Sequence, residues 1–317
     1  MAALLANIER GARRPFHQMT PAEARRVYES MSEILELPRA PLPRVDALSI
    51  PGADGTPLPA RLYADTAGPS GTGASAGLPT LLYLHGGGFT IGSLETHDSL
   101  CRQLVRRSGA AVLALDYRLA PAHRFPTAVD DAWAALRWLA VHGAAVGLDP
   151  ARLAVGGDSA GGTLAAVCAL LARDAALPLA LQVLVTPGTS ATTDTASHQR
   201  FASGYLLEAP DIAWFFDQYI DRSQRHDWRF APLEADDLDG VAPACIVLAE
   251  FDPLVDEGLA YADRLRAAGV AVQLELHRGV THDFIKLGRA LPEAAAAQQA
   301  IGEALRSAFD ATSASRT

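Results

Sequence analysis

Gly157-Asp158-Ser159-Ala160-Gly161 has the spacing G-x-S-x-G. In that pattern a serine sits in a tight strand-to-helix turn, and glycines two before and two after let the flanking elements approach closely. The hydroxyl points out of the turn, so the chemistry it suits is nucleophilic attack. Such a nucleophile needs donors for the oxyanion that forms on the attacked carbonyl, and a base held by an acid. His85-Gly86-Gly87-Gly88 supplies the donors: without side chains, its backbone N–H groups can come close to a reacting oxygen. Gly87, Gly88 and the amide of Ala160 are the expected oxyanion hole. A phosphate-cradling loop is disfavoured, because no Lys-Ser/Thr follows and the G-x-G-x-x-G spacing is missing.

In the chain order serine, acid, histidine, the acid lies just past a late strand and the histidine near the end. Asp252, in Glu250-Phe251-Asp252-Pro253-Leu254-Val255-Asp256-Glu257, fits. Asp before Pro is also a common helix start, and Asp256 is the alternative acid. Of the nine histidines, His282 stands in the stretch between the last strand and the last helix. His277 is its rival, although it ends an alternating stretch where a structural role is expected. His97, His123 and His142 precede the serine and break the order.

These residues must be carried by a sheet. From Leu58 onward short β-rich runs alternate with helical patterns, the mark of strand, helix, strand units and a mostly parallel α/β sheet. Strands are predicted over 58–63, 80–85, 111–116, 153–157, 181–186, 244–249 and 271–277, several of them apolar throughout as doubly covered strands should be. Helices are predicted over 95–108, 126–142, 160–173, 255–268 and 292–309. The serine then stands between the fourth of these strands and a helix of small residues.

Two segments depart from the alternation. Thr20-Pro21-Ala22-Glu23 combines a capping residue, proline at the first helical position and glutamate at the third, and Val27, Met31, Ile34 and Leu35 continue at helical spacing until Pro38. Residues 188–239 carry Phe201, Tyr205, Leu206, Leu207, Trp214, Phe215, Phe216 and Tyr219. The 188–239 segment is expected to form a cap over the sheet. Phe89, beside the glycine run, and Leu206, Trp214 and Phe215 are the expected pocket residues. The Gly-, Ser- and Pro-rich stretch 65–79 reads as a surface loop of one sheet rather than a linker.

Composition sets limits. The 317 residues are 49% hydrophobic and 20% charged with a net charge of −9, which suits a folded chain with a large core and disfavours a nucleic-acid surface. Cys101, Cys168 and Cys245 are odd in number and widely spaced, so they read as structural thiols. The apolar start Met1-Ala-Ala-Leu-Leu-Ala6 is too short and lacks the basic flank of a signal peptide. No apolar run nears the roughly 20 residues of a membrane span. The cytoplasm is the expected compartment, no integral membrane contact is expected, and the edge strand at 271–277 is a candidate for pairing two copies into a homodimer.

Taken together, the chain resembles the bacterial hormone-sensitive-lipase-like carboxylesterases. The resemblance is carried by His85-Gly-Gly-Gly88, Leu94-Glu-Thr-His-Asp98, Asp116-Tyr-Arg-Leu-Ala-Pro121, Gly157-Asp-Ser-Ala-Gly-Gly162, Gly204-Tyr-Leu-Leu207, Asp252-Pro-Leu254 and His282. It implies an α/β-hydrolase fold with a helical cap in two parts, the N-terminal helices (1–42) and the insertion after the sixth core strand (188–239), over a catalytic core formed by 43–187 and 240–317. It also implies a triad of Ser159, His282 and Asp252, with Asp256 excluded. The implied reaction is hydrolysis of small-molecule, short- to medium-chain esters without metal or organic cofactor. Amide, lactone or carbamate hydrolysis by the same triad is the enzymatic alternative, and a non-catalytic small-molecule receptor on the same scaffold is the alternative from another class. Val255, Ala122 and Thr163 depart from the family's usual arginine, glutamate and asparagine. Asp283 stands where glycine is usual, and a carboxylate facing His282 there would favour the imidazolium.

Overall fold

The computed structural model describes residues 1, 5–6, 10, 14–67 and 77–314. Its strands are β1 (Arg44–Pro51), β2 (Pro57–Ala64), β3 (Leu78–Leu84), β4 (Ala111–Leu115), β5 (Leu148–Asp158), β6 (Leu181–Val185), β7 (Ala244–Phe251) and β8 (Val272–Thr281). They form one sheet in the order β1-β2-β4-β3-β5-β6-β7-β8. The first two junctions, β1 with β2 and β2 with β4, are antiparallel, and the rest are parallel. Strands β4 and β6 are buried at every position, as expected where helices cover both faces.

The main helices are α1 (Pro21–Ser32), α2 (Asp98–Ser108), α3 (Thr127–His142), α4 (Ala160–Asp174), α5 (Ala196–Arg200), α6 (Ala209–Tyr219), α7 (Val255–Ala267) and α8 (Pro292–Ala314). On one face Leu100 and Leu104 of α2 and Ile301, Leu305 and Phe309 of α8 pack with Leu81, Tyr83 and Val183. On the other, Leu136 of α3, Leu164 of α4 and Tyr261 of α7 pack with Leu82, Val155 and Leu184. Each such buried aliphatic or aromatic side chain contributes about 1.5–3 kcal/mol. The capping box of α1 forms as its sequence predicts: Glu23 N donates to Thr20 Oγ1 at 3.3 Å and Thr20 N donates to Glu23 Oε2 at 2.8 Å.

Three features differ from the sequence reading. Strand β1 is absent from it: its alternation is flanked by prolines, and it is an edge strand with Val45 exposed, where prolines are tolerated because only one side is paired. Counting it makes β6 the sixth strand. Helix α1 stops at Ser32, so Ile34 is 60% exposed rather than on a buried helix face. Strand β8 continues to Thr281, past the predicted end at His277, because the register shifts after Ala249 and His277, with the extra residues on β8, and Phe251 pairs with Thr281. His277 is therefore inside the strand and His282 directly follows it. Much of the 65–79 loop, and part of the apolar N-terminus, fall outside the described residues.

Candidate active site

Ser159 follows the last residue of β5 and precedes α4, with φ 52° and ψ −123°. Positive φ at a non-glycine residue costs of order 1–3 kcal/mol and persists only where neighbours enforce it. Here Ser159 N donates to Val185 O at 2.8 Å, and Ser159 O accepts from Thr163 N at 3.0 Å. A Cβ on either Gly157 or Gly161 would run into the Leu84 carbonyl. That close approach of β3, β5 and α4 is what the two glycines of the motif permit.

His282 stands between the serine and an acid. Its Nε2 is 2.9 Å from Ser159 Oγ and its Nδ1 is 2.8 Å from Asp252 Oδ2. The carboxylate can only accept, so Nδ1 carries a proton, and in the neutral ring Nε2 is left to accept from the serine hydroxyl. Asp252 is 1% exposed, and its Oδ1 accepts from Leu254 N at 2.9 Å. Burial by itself would lower the pKa of the ring, but the charge and hydrogen bond of Asp252, and then the charge of Asp283, outweigh it and raise the pKa to about 9. Asp283 occupies the left-handed region at φ 61°. The rival residues lie elsewhere: Asp256 Oδ2 accepts from Ser197 N at 2.8 Å, and His277 packs on Phe284 with ring centroids 5.1 Å apart.

The glycine run leaves β3 toward the same point. Gly87 and Gly88 have φ of 121° and 55°, and Gly87 O closes a turn by accepting from Thr90 N at 3.0 Å and Ile91 N at 2.9 Å. Both glycines line one cavity with Ser159, Ala160 and His282.

That cavity measures about 230 Å³. Its walls are largely apolar, and Phe89, Leu206 and Phe215 are among them. Trp214 is not. It neighbours Phe215 on α6, where successive residues turn about 100° around the axis, and it packs against that ring edge-on at 5.1 Å. Sequence reasoning missed Phe16, Tyr28 and Lys286, which also line the cavity. Tyr28 adjoins Val27 on the predicted apolar face of α1, so its contact was within reach of helical periodicity. Nothing in the sequence near Lys286 announces its role. Its Nζ donates to Tyr28 Oη at 3.0 Å and lies 3.5 Å from Glu36 Oε1. Thr163, the departure from asparagine, donates through Oγ1 to Gly188 O at 2.6 Å, fixing the start of the insertion. Arg25 fixes α1: its Nε donates to Thr90 O at 2.8 Å and its Nη2 to Ala120 O at 2.7 Å.

Cys101, Cys168 and Cys245 are buried free thiols. Among the described residues, no three or more His, Cys, Asp or Glu side chains are grouped to hold a metal ion, and no helix is long and apolar enough to cross a membrane.

Known proteins share this arrangement of elements. The family described as alpha/beta hydrolase fold matches residues 81–286. Ethyl acetate hydrolase of Pseudomonas putida is 44% identical over 314 residues, 96% of this chain and 97% of that protein. Carboxylesterase NlhH of Mycobacterium tuberculosis is 38% identical over 286 residues, 88% of each chain. A thermostable esterase from Pseudomonas putida ECU1011 superposes with a TM-score of 0.90 at 36% identity, covering 97% of this chain and 96% of that one.

Proposed function

The chain belongs to the α/β-hydrolase family, among its hormone-sensitive-lipase-like carboxylesterases, and we propose that it hydrolyses short- to medium-chain carboxylic esters through an acyl-enzyme on Ser159. The observation that carries this reading is the hydrogen-bonded chain from Ser159 Oγ through both nitrogens of His282 to Asp252, opening on an apolar cavity of about 230 Å³.

In this reading Ser159 Oγ attacks the ester carbonyl as His282 Nε2 takes its proton. Asp252 fixes the ring and stabilises its charged form. The oxyanion is met by the amides of Gly87, Gly88 and Ala160. The imidazolium then protonates the departing alcohol, leaving the acyl group on the serine. Water, activated by the neutral ring, attacks the acyl carbonyl and releases the acid. The cap formed by α1 and the 188–239 insertion supplies the apolar walls that limit chain length.

The test is hydrolysis of p-nitrophenyl esters from acetate to palmitate, with Ser159→Ala as the blank. A rate that falls beyond medium chains and vanishes in the variant is expected. Full turnover in Ser159→Ala would overturn the assignment.

A further inference from the structure

The motif Leu94-Glu-Thr-His-Asp98 has no part in the triad, yet it ends directly beneath the glycine run. Its histidine, His97, is 1% exposed, and its Nε2 lies 3.1 Å from Asp158 Oδ2 and 3.4 Å from the Gly86 amide nitrogen. Asp158 is fully buried and immediately precedes Ser159 in the chain. Its other oxygen accepts from Tyr83 Oη at 2.6 Å. A buried carboxylate with two such partners is satisfied as an anion, which has His97 Nε2 donate to Asp158, so the Gly86 amide at 3.4 Å packs against that nitrogen rather than donating to it.

The rest of the motif keeps His97 in place. Thr96 Oγ1 is 2.8 Å from His97 Nδ1, and the same oxygen accepts from Ser93 N at 2.9 Å. Asp98 is anchored at 3.0 Å by Arg61, at 2.6 Å by Arg102 and at 2.8 Å by Tyr63. On the loop side there is no slack: a Cβ on Gly86 would run into the Asp158 carboxylate. His85 is stacked on Tyr117 with centroids 4.3 Å apart, and Tyr117 Oη donates to the His85 carbonyl at 2.7 Å. The peptide that leads into Gly87 and Gly88 thus rests on a carboxylate belonging to the residue next to the nucleophile.

We propose that His97 and Asp158 are a positioning pair that holds the Gly87 and Gly88 amides in register with Ser159 Oγ. Neither side chain meets the substrate. One end of Asp158 is tied covalently to Ser159 and the other, through His97 and direct contact, to Gly86. A displacement of either partner moves the oxyanion donors relative to the attacking oxygen. The inference rests on the acyl-enzyme reading above.

Three variants of the full chain test it: His97→Ala, His97→Gln and Asp158→Asn. Each is assayed for kcat and KM on a p-nitrophenyl ester and for inhibition by an alkyl trifluoromethyl ketone, which adds the serine to give a tetrahedral oxyanion. The methyl ketone of equal length, which stays trigonal in the same pocket, is the control. In His97→Ala we expect kcat to fall about tenfold to a hundredfold, the scale of loss for misplaced reacting groups, with KM held within about twofold. The trifluoromethyl ketone should weaken by the same factor while the methyl ketone does not change. His97→Gln, whose amide can still donate to Asp158, should recover most of the loss, and Asp158→Asn should behave like a milder His97→Ala.

An unchanged affinity of His97→Ala for the trifluoromethyl ketone overturns the proposal, whatever happens to kcat. Equal weakening of both ketones with a fall in Tm that His97→Gln does not restore also overturns it, marking a packing role. If the wild type neither hydrolyses the ester nor binds the trifluoromethyl ketone, it is the acyl-enzyme reading that has failed.

Discussion

Asp283 Oδ1 lies 4.0 Å from His282 Nε2, the nitrogen that also faces the serine hydroxyl. Two carboxylates therefore act on one imidazole: Asp252 from behind, through a hydrogen bond, and Asp283 from the side of the cavity. Burial alone would depress the ring's pKa; Asp252 first, then Asp283, with the charge of Asp158 adding to them, raise it to about 9.

In the proposed mechanism the base form of His282 accepts the serine proton, so activity should climb with pH through the alkaline range. In Asp283→Gly one of the charges that favour the imidazolium is gone. The acid limb of kcat/KM should move to lower pH, and turnover at pH 7 should increase. A limb that stays where it was would show that Asp283 has no electrostatic hold on the ring.

Gly87→Ala should cost kcat about a hundredfold or more, the range seen when an oxyanion donor is lost. The residue sits at φ 121°, and a methyl group there would strike the Ile91 carbonyl, opening the turn that in the proposed mechanism aims the amides. KM should change little. Steady-state kinetics with circular dichroism as the folding control will read this, and unaltered kcat would remove Gly87 from the oxyanion hole.

Phe215 stands over Gly88 and lines the cavity. Phe215→Leu should lengthen the accepted chain, raising the ratio of octanoate to acetate kcat/KM by about tenfold, which is within the range that one or a few methylenes command in an apolar pocket. The cost in stability should be about 1 kcal/mol. The same ratio in variant and wild type would place the chain-length limit on another wall.

Lys286 and Glu36 are 5% and 3% exposed and 3.5 Å apart. Burial, opposed by Lys286, raises the Glu36 carboxyl to about 7 from its ordinary 4.5. Between those two values the folded state holds more protons than the unfolded one, so this group's contribution to stability falls as pH rises through the window. Lys286→Met removes the counter-charge and should destabilise by about 3–5 kcal/mol, the usual result of breaking a buried pair from one side. The loss should be greater at pH 8 than at pH 6, where protonation relieves Glu36. Urea unfolding at the two pH values checks both the size and the sign.

The parts of this protein that read directly from sequence are those set by local constraint. The elbow needs glycine at 157 and 161 because β3 and α4 touch there, and a strand such as β4 is a continuous apolar run because helices cover both sides. The ordering of Ser159, Asp252 and His282 along the chain follows from strands whose ends share one edge of the sheet. What stayed hidden depends on distant packing. Strand β1 exists because β2 pairs with it, and its own residues argue weakly for a strand. Tyr28 and Lys286 meet across 258 positions. Trp214 and Phe215 are equally apolar neighbours on one helix, and only the angle at which α6 lies decides which enters the cavity.

Under these two proposals the elbow sets consecutive residues to opposite duties, with the side chain of Ser159 given to chemistry and that of Asp158 to the scaffold. A protein engineer reshaping this enzyme would therefore find the peptide around residue 158 unforgiving, since any adjustment of the attacking oxygen drags its own receptacle with it. Selectivity is better sought on the α6 wall, where a ring can shrink without disturbing the alignment of the reacting atoms.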